Sequence, residues 1–182
     1  SNKRIALVKV SLAGAVTAMR TGQIDAMANL DPVIGTLLKE NEVRVIADTR
    51  TVADTKTIFG GNMPSACLYA SEEFITKNPN TAQALANAIV RADKWIQAND
   101  AETIAKTVPA TYLLGDVELY KQCLDANKEA LSPDGLVDSD GPTTALNALA
   151  AFVPNLDASK IDISKIYTNE FADNANKKYP NV

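Results

Sequence analysis

Gly22-Gln23-Ile24-Asp25-Ala26-Met27-Ala28-Asn29-Leu30-Asp31-Pro32 reads as a helix end, a short buried strand and a new helix start in close succession. Gly22 is placed to end the preceding amphipathic run, Ala13 to Arg20, because glycine tolerates the left-handed conformation that releases a helix. Ile24, Ala26 and Ala28 then alternate with Asp25, Met27 and Asn29, which is the period of a strand. Asp31-Pro32 follows as a helix cap and a first-turn proline. Asn29 and Asp31 are therefore expected at the carboxyl end of a strand. In open α/β sheets small ligands bind at that edge, where helix amino-termini supply further donors.

Outward from this stretch the pattern is strand, helix, strand, helix, strand: Ile5 to Val10, Ala13 to Arg20, Ile24 to Asn29, Val33 to Asn41 and Val43 to Ala47. Such alternation predicts a parallel sheet with right-handed crossovers. Arg50 to Ser65 is polar, contains Gly60-Gly61 and Pro64, and reads as a connector. Ala66 to Ala70 is a short apolar strand, after which the chain is almost wholly helical.

In the helix that starts at Asn78-Pro79, Leu85, Ala88, Ile89, Ala92, Trp95 and Ile96 recur at three- and four-residue steps and are expected to face the core. That places Trp95 in the core and not on a ligand platform. Asp100 caps a helix through Val108, and Asp116 caps another through Leu131 that Ser132-Pro133-Asp134-Gly135 stops. Further helices are expected over Thr143 to Phe152 and from about Ile163 to Lys178. No repeat or low-complexity segment interrupts the chain.

Composition narrows the function. The 182 residues are 46% hydrophobic and 22% charged, ordinary for a globular protein. A formal net charge of -4 argues against nucleic acid, which needs a basic footprint. No stretch approaches the roughly 20 apolar residues of a membrane span. The two cysteines, Cys67 and Cys123, are too few for a disulfide framework and too far apart in sequence for a metal-ligand spacing. Histidine is absent, which removes Ser-His-Asp and Cys-His chemistry, a His general base and the commonest transition-metal ligand. No catalytic residue, metal or cofactor is expected.

The run Ala15-Val16-Thr17-Ala18-Met19-Arg20-Thr21-Gly22-Gln23-Ile24-Asp25-Ala26 resembles substrate-binding proteins of ABC importers, in the nitrate, sulfonate and taurine branch. So do Asn29-Leu30-Asp31-Pro32, Val43-Arg44-Val45-Ile46-Ala47-Asp48 and Tyr69-Ala70-Ser71-Glu72-Glu73-Phe74-Ile75-Thr76-Lys77-Asn78-Pro79. The resemblance covers most of Val8 to Asn99 in order. It implies an α/β fold of the periplasmic-binding-protein type II class, here as a partial two-lobe architecture with a helical carboxyl-terminal part. Residues 1–49 would be a partial second-lobe α/β unit, 50–65 the hinge and crossover, and 66–182 the return to the first lobe, with one strand and then mainly helices. A lone strand leaves its backbone unpaired unless a sheet receives it, so further amino-terminal material is expected ahead of Ser1.

The function implied is an extracytoplasmic, periplasmic receptor that hands a small anionic or zwitterionic solute to a membrane permease. Asp31 is read as a helix cap and as a contact for a cationic amine, and Asn29 as a polar group that needs a partner at a strand end. Arg50 is read as a bidentate grip on a sulfonate or carboxylate, or as a solvated loop arginine. Asn62, Met63 and Ser65 are expected where the crossing segment passes the ligand. An exposed apolar surface would favour self-association. The alternatives are an enzyme resembling those that make the thiamine pyrimidine, which depend on a histidine this chain lacks, and an effector-sensing domain.

Overall fold

The computed structural model describes residues 5–11, 14–113 and 115–181. Ala13, where the first helix is expected to start, lies outside them. All regular structure among the described residues is helical: α1 (Ala15–Arg20), α2 (Val33–Lys39), α3 (Val52–Phe59), α4 (Glu72–Lys77), α5 (Pro79–Ala98), α6 (Ala101–Thr107), α7 (Val117–Asn127), α8 (Gly141–Phe152) and α9 (Glu170–Lys178). Short 3-10 turns stand at Ala110–Tyr112, Lys128–Ala130, Ala158–Lys160 and Ile163–Lys165.

This corrects the expected α/β, periplasmic-binding-protein-like fold, because no strand or sheet is present among the described residues. Segments 5–10, 24–29, 43–47 and 66–70 have the strand period but no regular structure. None of them shares a backbone hydrogen bond with another described residue. A strand exists only as half of a ladder, so alternation can specify a face without supplying a partner. Their apolar side chains are accordingly outside: Leu7 is 95% exposed, Ile46 84% and Tyr69 87%.

Helix ends follow local rules closely. Gly22 takes φ 68° after α1, with its N–H donating to the Met19 carbonyl and the Gln23 N–H to the Ala18 carbonyl, the paired bonds of a Schellman cap. Asn41 (φ 57°) does the same for α2, with bonds to Leu38 and, through Glu42, to Leu37. Helix α3 falls inside the expected connector. Its signal was Thr51-x-x-Asp54: the Thr51 hydroxyl accepts from the Asp54 N–H at 3.1 Å and donates to the Asp54 carboxylate at 2.7 Å. The expected helix over 163–178 is broken, because Asn169 exchanges two 2.9 Å hydrogen bonds with the Val137 backbone just before α9 begins.

The chain forms two compact units, residues 1–46 with 101–126 and residues 47–100 with 127–182. In the first, Ala15, Ala18, Val33, Leu37, Ala101, Ile104 and Ala105 are buried. Gly35 lets α2 approach α7, since a Cβ there would stand 2.6 Å from the Cys123 sulfur. Lys39 closes the same contact on Asp116 at 2.6 Å.

In the second unit α5 packs on α9 through Val90, Ala172 and Ala175. Burying a valine stabilises by about 1.5–3 kcal/mol. Gln83 donates to the Phe171 carbonyl at 2.8 Å and Lys94 to the Tyr179 carbonyl at 2.6 Å, fixing the register at both ends. The expected core stripe of α5 is turned outward: Ile89 is 49% exposed, whereas Val90 is 1% exposed. Trp95 is partly buried. The alanines of α9 admit close approach at Val90, and that contact selects the stripe.

Two consequences are measurable. Gly61 is buried, and a Cβ there would strike the Thr144 hydroxyl, itself tied to the Asp140 carbonyl at 3.1 Å. Gly61→Ala should lower stability by about 1–3 kcal/mol, and Thr144→Ala in the same chain should recover part of that loss. Strict additivity of the two changes in chemical denaturation would contradict this contact.

Burial, and secondarily the Asp134 carboxylate, hold Asp93 above its ordinary carboxylate range. The folded chain therefore binds this proton more tightly than the unfolded chain, and stability falls as pH rises through the folded value. Asp93→Asn should melt at a higher temperature than the native sequence at pH 7, with the gap closing as pH falls toward 4. A gap that is constant with pH would contradict the assignment.

Candidate functional site

Asn29 and Asp31 occupy one irregular segment of the first unit, leading into α2. The Asn29 side-chain oxygen accepts from the Leu30 N–H at 2.9 Å. Among the described residues its NH2 group meets the Met27 sulfur, at 3.6 Å, a weak acceptor. The side chain is therefore braced through its oxygen while its donors retain capacity. Asp31 accepts from the Gly35 N–H at 2.9 Å, satisfying one of the donors that the start of α2 leaves open. Pro32 precedes the first helical residue, Val33, instead of occupying it.

In the second unit Arg50 closes on Asp48. Its Nε lies 3.0 and 3.1 Å from the two carboxylate oxygens, its terminal nitrogen 2.6 Å from Oδ2, and its backbone N–H 2.9 Å from Oδ1. Both side chains are partly buried. The Arg50 guanidinium holds the Asp48 carboxyl below its usual range. This carboxylate two residues upstream was not singled out from sequence, although an Asp-x-Arg spacing within one loop was its visible signal. An anion reaching Arg50 meets a guanidinium already shared with Asp48.

Asn62, Met63 and Ser65 share the segment that follows α3. The Asn62 NH2 donates to Asp138 at 2.5 Å, and the other Asp138 oxygen accepts from the Gly141 N–H at 2.6 Å, where α8 begins. Asp138 thus ties the segment to the first turn of α8. A Cβ on Gly141 would lie 3.1 Å from Pro64, so glycine is needed for this approach. The Asn62 side-chain oxygen is buried and has no hydrogen-bond partner. Met63 is partly buried and Ser65 exposed. Asp138 was not anticipated, since nothing in the Asp138-Ser139-Asp140-Gly141-Pro142 run points to a residue 76 positions away.

The structure thus groups Asn29 with Asp31 in the first unit, and Asn62 with Met63 and Ser65 in the second, while Arg50 stands with Asp48. These groups can form hydrogen bonds and ion pairs. Among the described residues no cluster of three or more His, Cys, Asp or Glu side chains could hold a metal ion. Among the same residues no helix is long and apolar enough to cross a membrane.

A solved structure of a protein from Bordetella bronchiseptica RB50 is similar to this chain, with a TM-score of 0.88 and 60% sequence identity over 92% of this chain and 53% of that one. The chain therefore spans about half the length of that relative. No curated protein matches it. The NMT1-like family matches residues 1–110 of the 182, and the chain belongs to that family.

Proposed function

We propose that this chain is the solute-binding part of an ABC importer, acting outside the cytoplasm, without catalysis or a cofactor, on a small anionic or zwitterionic solute such as nitrate, a sulfonate or taurine. The observation that carries the reading is the family match over residues 1–110, since NMT1-like proteins are usually binding proteins. The available side-chain chemistry is compatible with it. Capture of a small polar solute needs oriented hydrogen-bond donors and charge, and Asn29 and Arg50 offer both types of group.

Asn29 would donate its NH2 to an oxyanion. Arg50 would share its guanidinium between Asp48 and the solute, offering directional N–H donors more than net positive charge. Asp31 would serve α2 first and a cationic amine second. Asn62, Met63 and Ser65 are further proposed ligand contacts within their own unit. A membrane permease would be the downstream partner. Self-association through exposed apolar segments around Leu7, Ile46 and Tyr69 is part of the same reading.

A thermal-shift series with nitrate, alkanesulfonates, taurine and small carboxylates tests this. A solute at about 100 times its dissociation constant should stabilise the chain by roughly 2.7 kcal/mol. Asn29→Ala should then weaken binding by about 10-fold or more, as loss of a hydrogen bond to a charged group does. No shift with any of these solutes would remove the reading. Light scattering should give a molar mass above the monomer's 19.4 kDa. A strictly monomeric mass across micromolar concentrations would exclude the self-association.

A further inference from the structure

Arg91 and Lys94 on α5 and Lys178 on α9 come together around Tyr179, and Lys177 precedes Lys178 in the last turn of α9. The Arg91 guanidinium carbon lies 5.0 Å from the centre of the Tyr179 ring and the Lys178 ammonium 5.4 Å from it, both within cation–π range. Lys94 donates to the Tyr179 backbone carbonyl at 2.6 Å. Arg91, Lys177 and Lys178 are exposed.

Ion pairing elsewhere is mixed: among the described residues Lys9, Arg44, Lys56 and Lys128 are also without a carboxylate at ion-pair distance, but as separate cations. Lys39, Lys77, Lys106, Lys121, Lys160 and Lys165 each stand within ion-pair distance of a carboxylate. Among the described residues Arg91, Lys94, Lys177 and Lys178 have no such partner, and the carboxylates of the same helices, Asp93, Glu170 and Asp173, pair with none of them. Like charges gathered on one surface repel, and here they sit on a chain of net charge -4. A surface of this kind is complementary to negative charge brought by a partner.

We propose that the Tyr179 surface is a docking site for a carboxylate-rich loop of a partner protein; if the importer reading above holds, that partner is the membrane permease. The geometry favours carboxylates. The Arg91 guanidinium, 5.0 Å from the ring centre, is exposed and has a fork of N–H donors that matches a planar carboxylate in a two-pronged bond. Lys178 adds a point charge at the same ring and Lys177 a second exposed one in the same helical turn, suited to neighbouring acidic side chains. Lys94 is engaged by the Tyr179 carbonyl and serves to hold the surface in place. A lipid surface fits less well. Recognition of anionic membranes draws on clusters of roughly four to eight basic residues, and only three here have uncommitted donors on a chain that is acidic as a whole.

The test is fluorescence anisotropy of a labelled hexaglutamate peptide with the full chain, at 50 and 300 mM salt and in the absence of any solute. Saturable binding that weakens several-fold at the higher salt is expected. Arg91→Gln with Lys178→Gln should raise the dissociation constant at least 10-fold, and Arg91→Lys alone about 3-fold, with melting temperatures confirming that each variant folds. Lys56→Gln, which removes an exposed cation of α3, should leave binding unchanged. Absence of saturable binding overturns the proposal, as does an equal loss in Lys56→Gln. Retention on phosphatidylglycerol vesicles that is lost in the double variant would also overturn it, in favour of a lipid site. Because peptide capture needs no solute, a chain that binds hexaglutamate but shifts with no solute rejects the importer reading and leaves the basic docking surface standing.

Discussion

The packing of Val90 between Ala172 and Ala175 is the contact on which the second unit depends. It brings together helices that begin ninety-one residues apart, Pro79 and Glu170, and sets the register from which other features follow. With that register fixed, Gly135 must be a glycine: its φ is 73°, and a Cβ there would lie 2.8 Å from a Val90 methyl. The turn that Gly135 closes carries Asp134, whose backbone carbonyl accepts from Asn176 at 2.9 Å and whose charge adds to the burial that raises Asp93. At the far end the same register sets Arg91 and Lys94 against Tyr179. A carboxylate held above its ordinary range and a basic grouping at Tyr179 are thus both consequences of one helix pair.

Helices were legible in the sequence because a helix satisfies its own backbone. Gly22, Asn78-Pro79 and Asp116 act within a few residues of themselves, and each stands at or within a residue of a helix end. Asp116, for example, accepts from the Leu119 N–H at 2.9 Å. Strands are different in kind. The alternation at Ile5 to Val10 and Ile24 to Asn29 is real, but a ladder is a relation between two segments, and period alone does not contain the second. The same distinction explains α5. Leu85, Ile89 and Trp95 form a sound amphipathic stripe, yet which stripe is covered depends on the small side chains of α9, eighty residues on. Local capping chemistry was also missed where it was present: Thr51-x-x-Asp54 was overshadowed by the glycines that end α3.

The candidate site divides along the same line. Asp31 as a cap was legible, since its partner Gly35 is one turn away. Arg50 was read as a single cation, whereas its partner Asp48 makes it half of a neutral pair. Asn62 was placed by the loop it sits in, but its anchor, Asp138, belongs to another part of the chain. In each case the residue was identifiable from type and position, and its electrostatic state was set by a neighbour. That state decides what the residue can do for a ligand: a guanidinium balanced by a carboxylate recognises an oxyanion through directional hydrogen bonds more than through net charge.

Charge pairing gives the last step. Several basic side chains of this acidic chain lie beside a carboxylate, as Lys121 does between Glu102 and Glu118 at 2.8 and 2.6 Å. Exposed pairs of this sort stabilise little, with a median of about 0–1 kcal/mol. Their larger effect is on the field: each pair largely cancels beyond a Debye length, about 8 Å at physiological salt. On the α5 and α9 pair, by contrast, Arg91, Lys94 and Lys178 meet at one aromatic ring with no carboxylate at ion-pair distance among the described residues. The contrast, more than the number of charges, gives the Tyr179 surface directional information for a partner, because a local positive field on an otherwise acidic chain both attracts carboxylates and orients the approach.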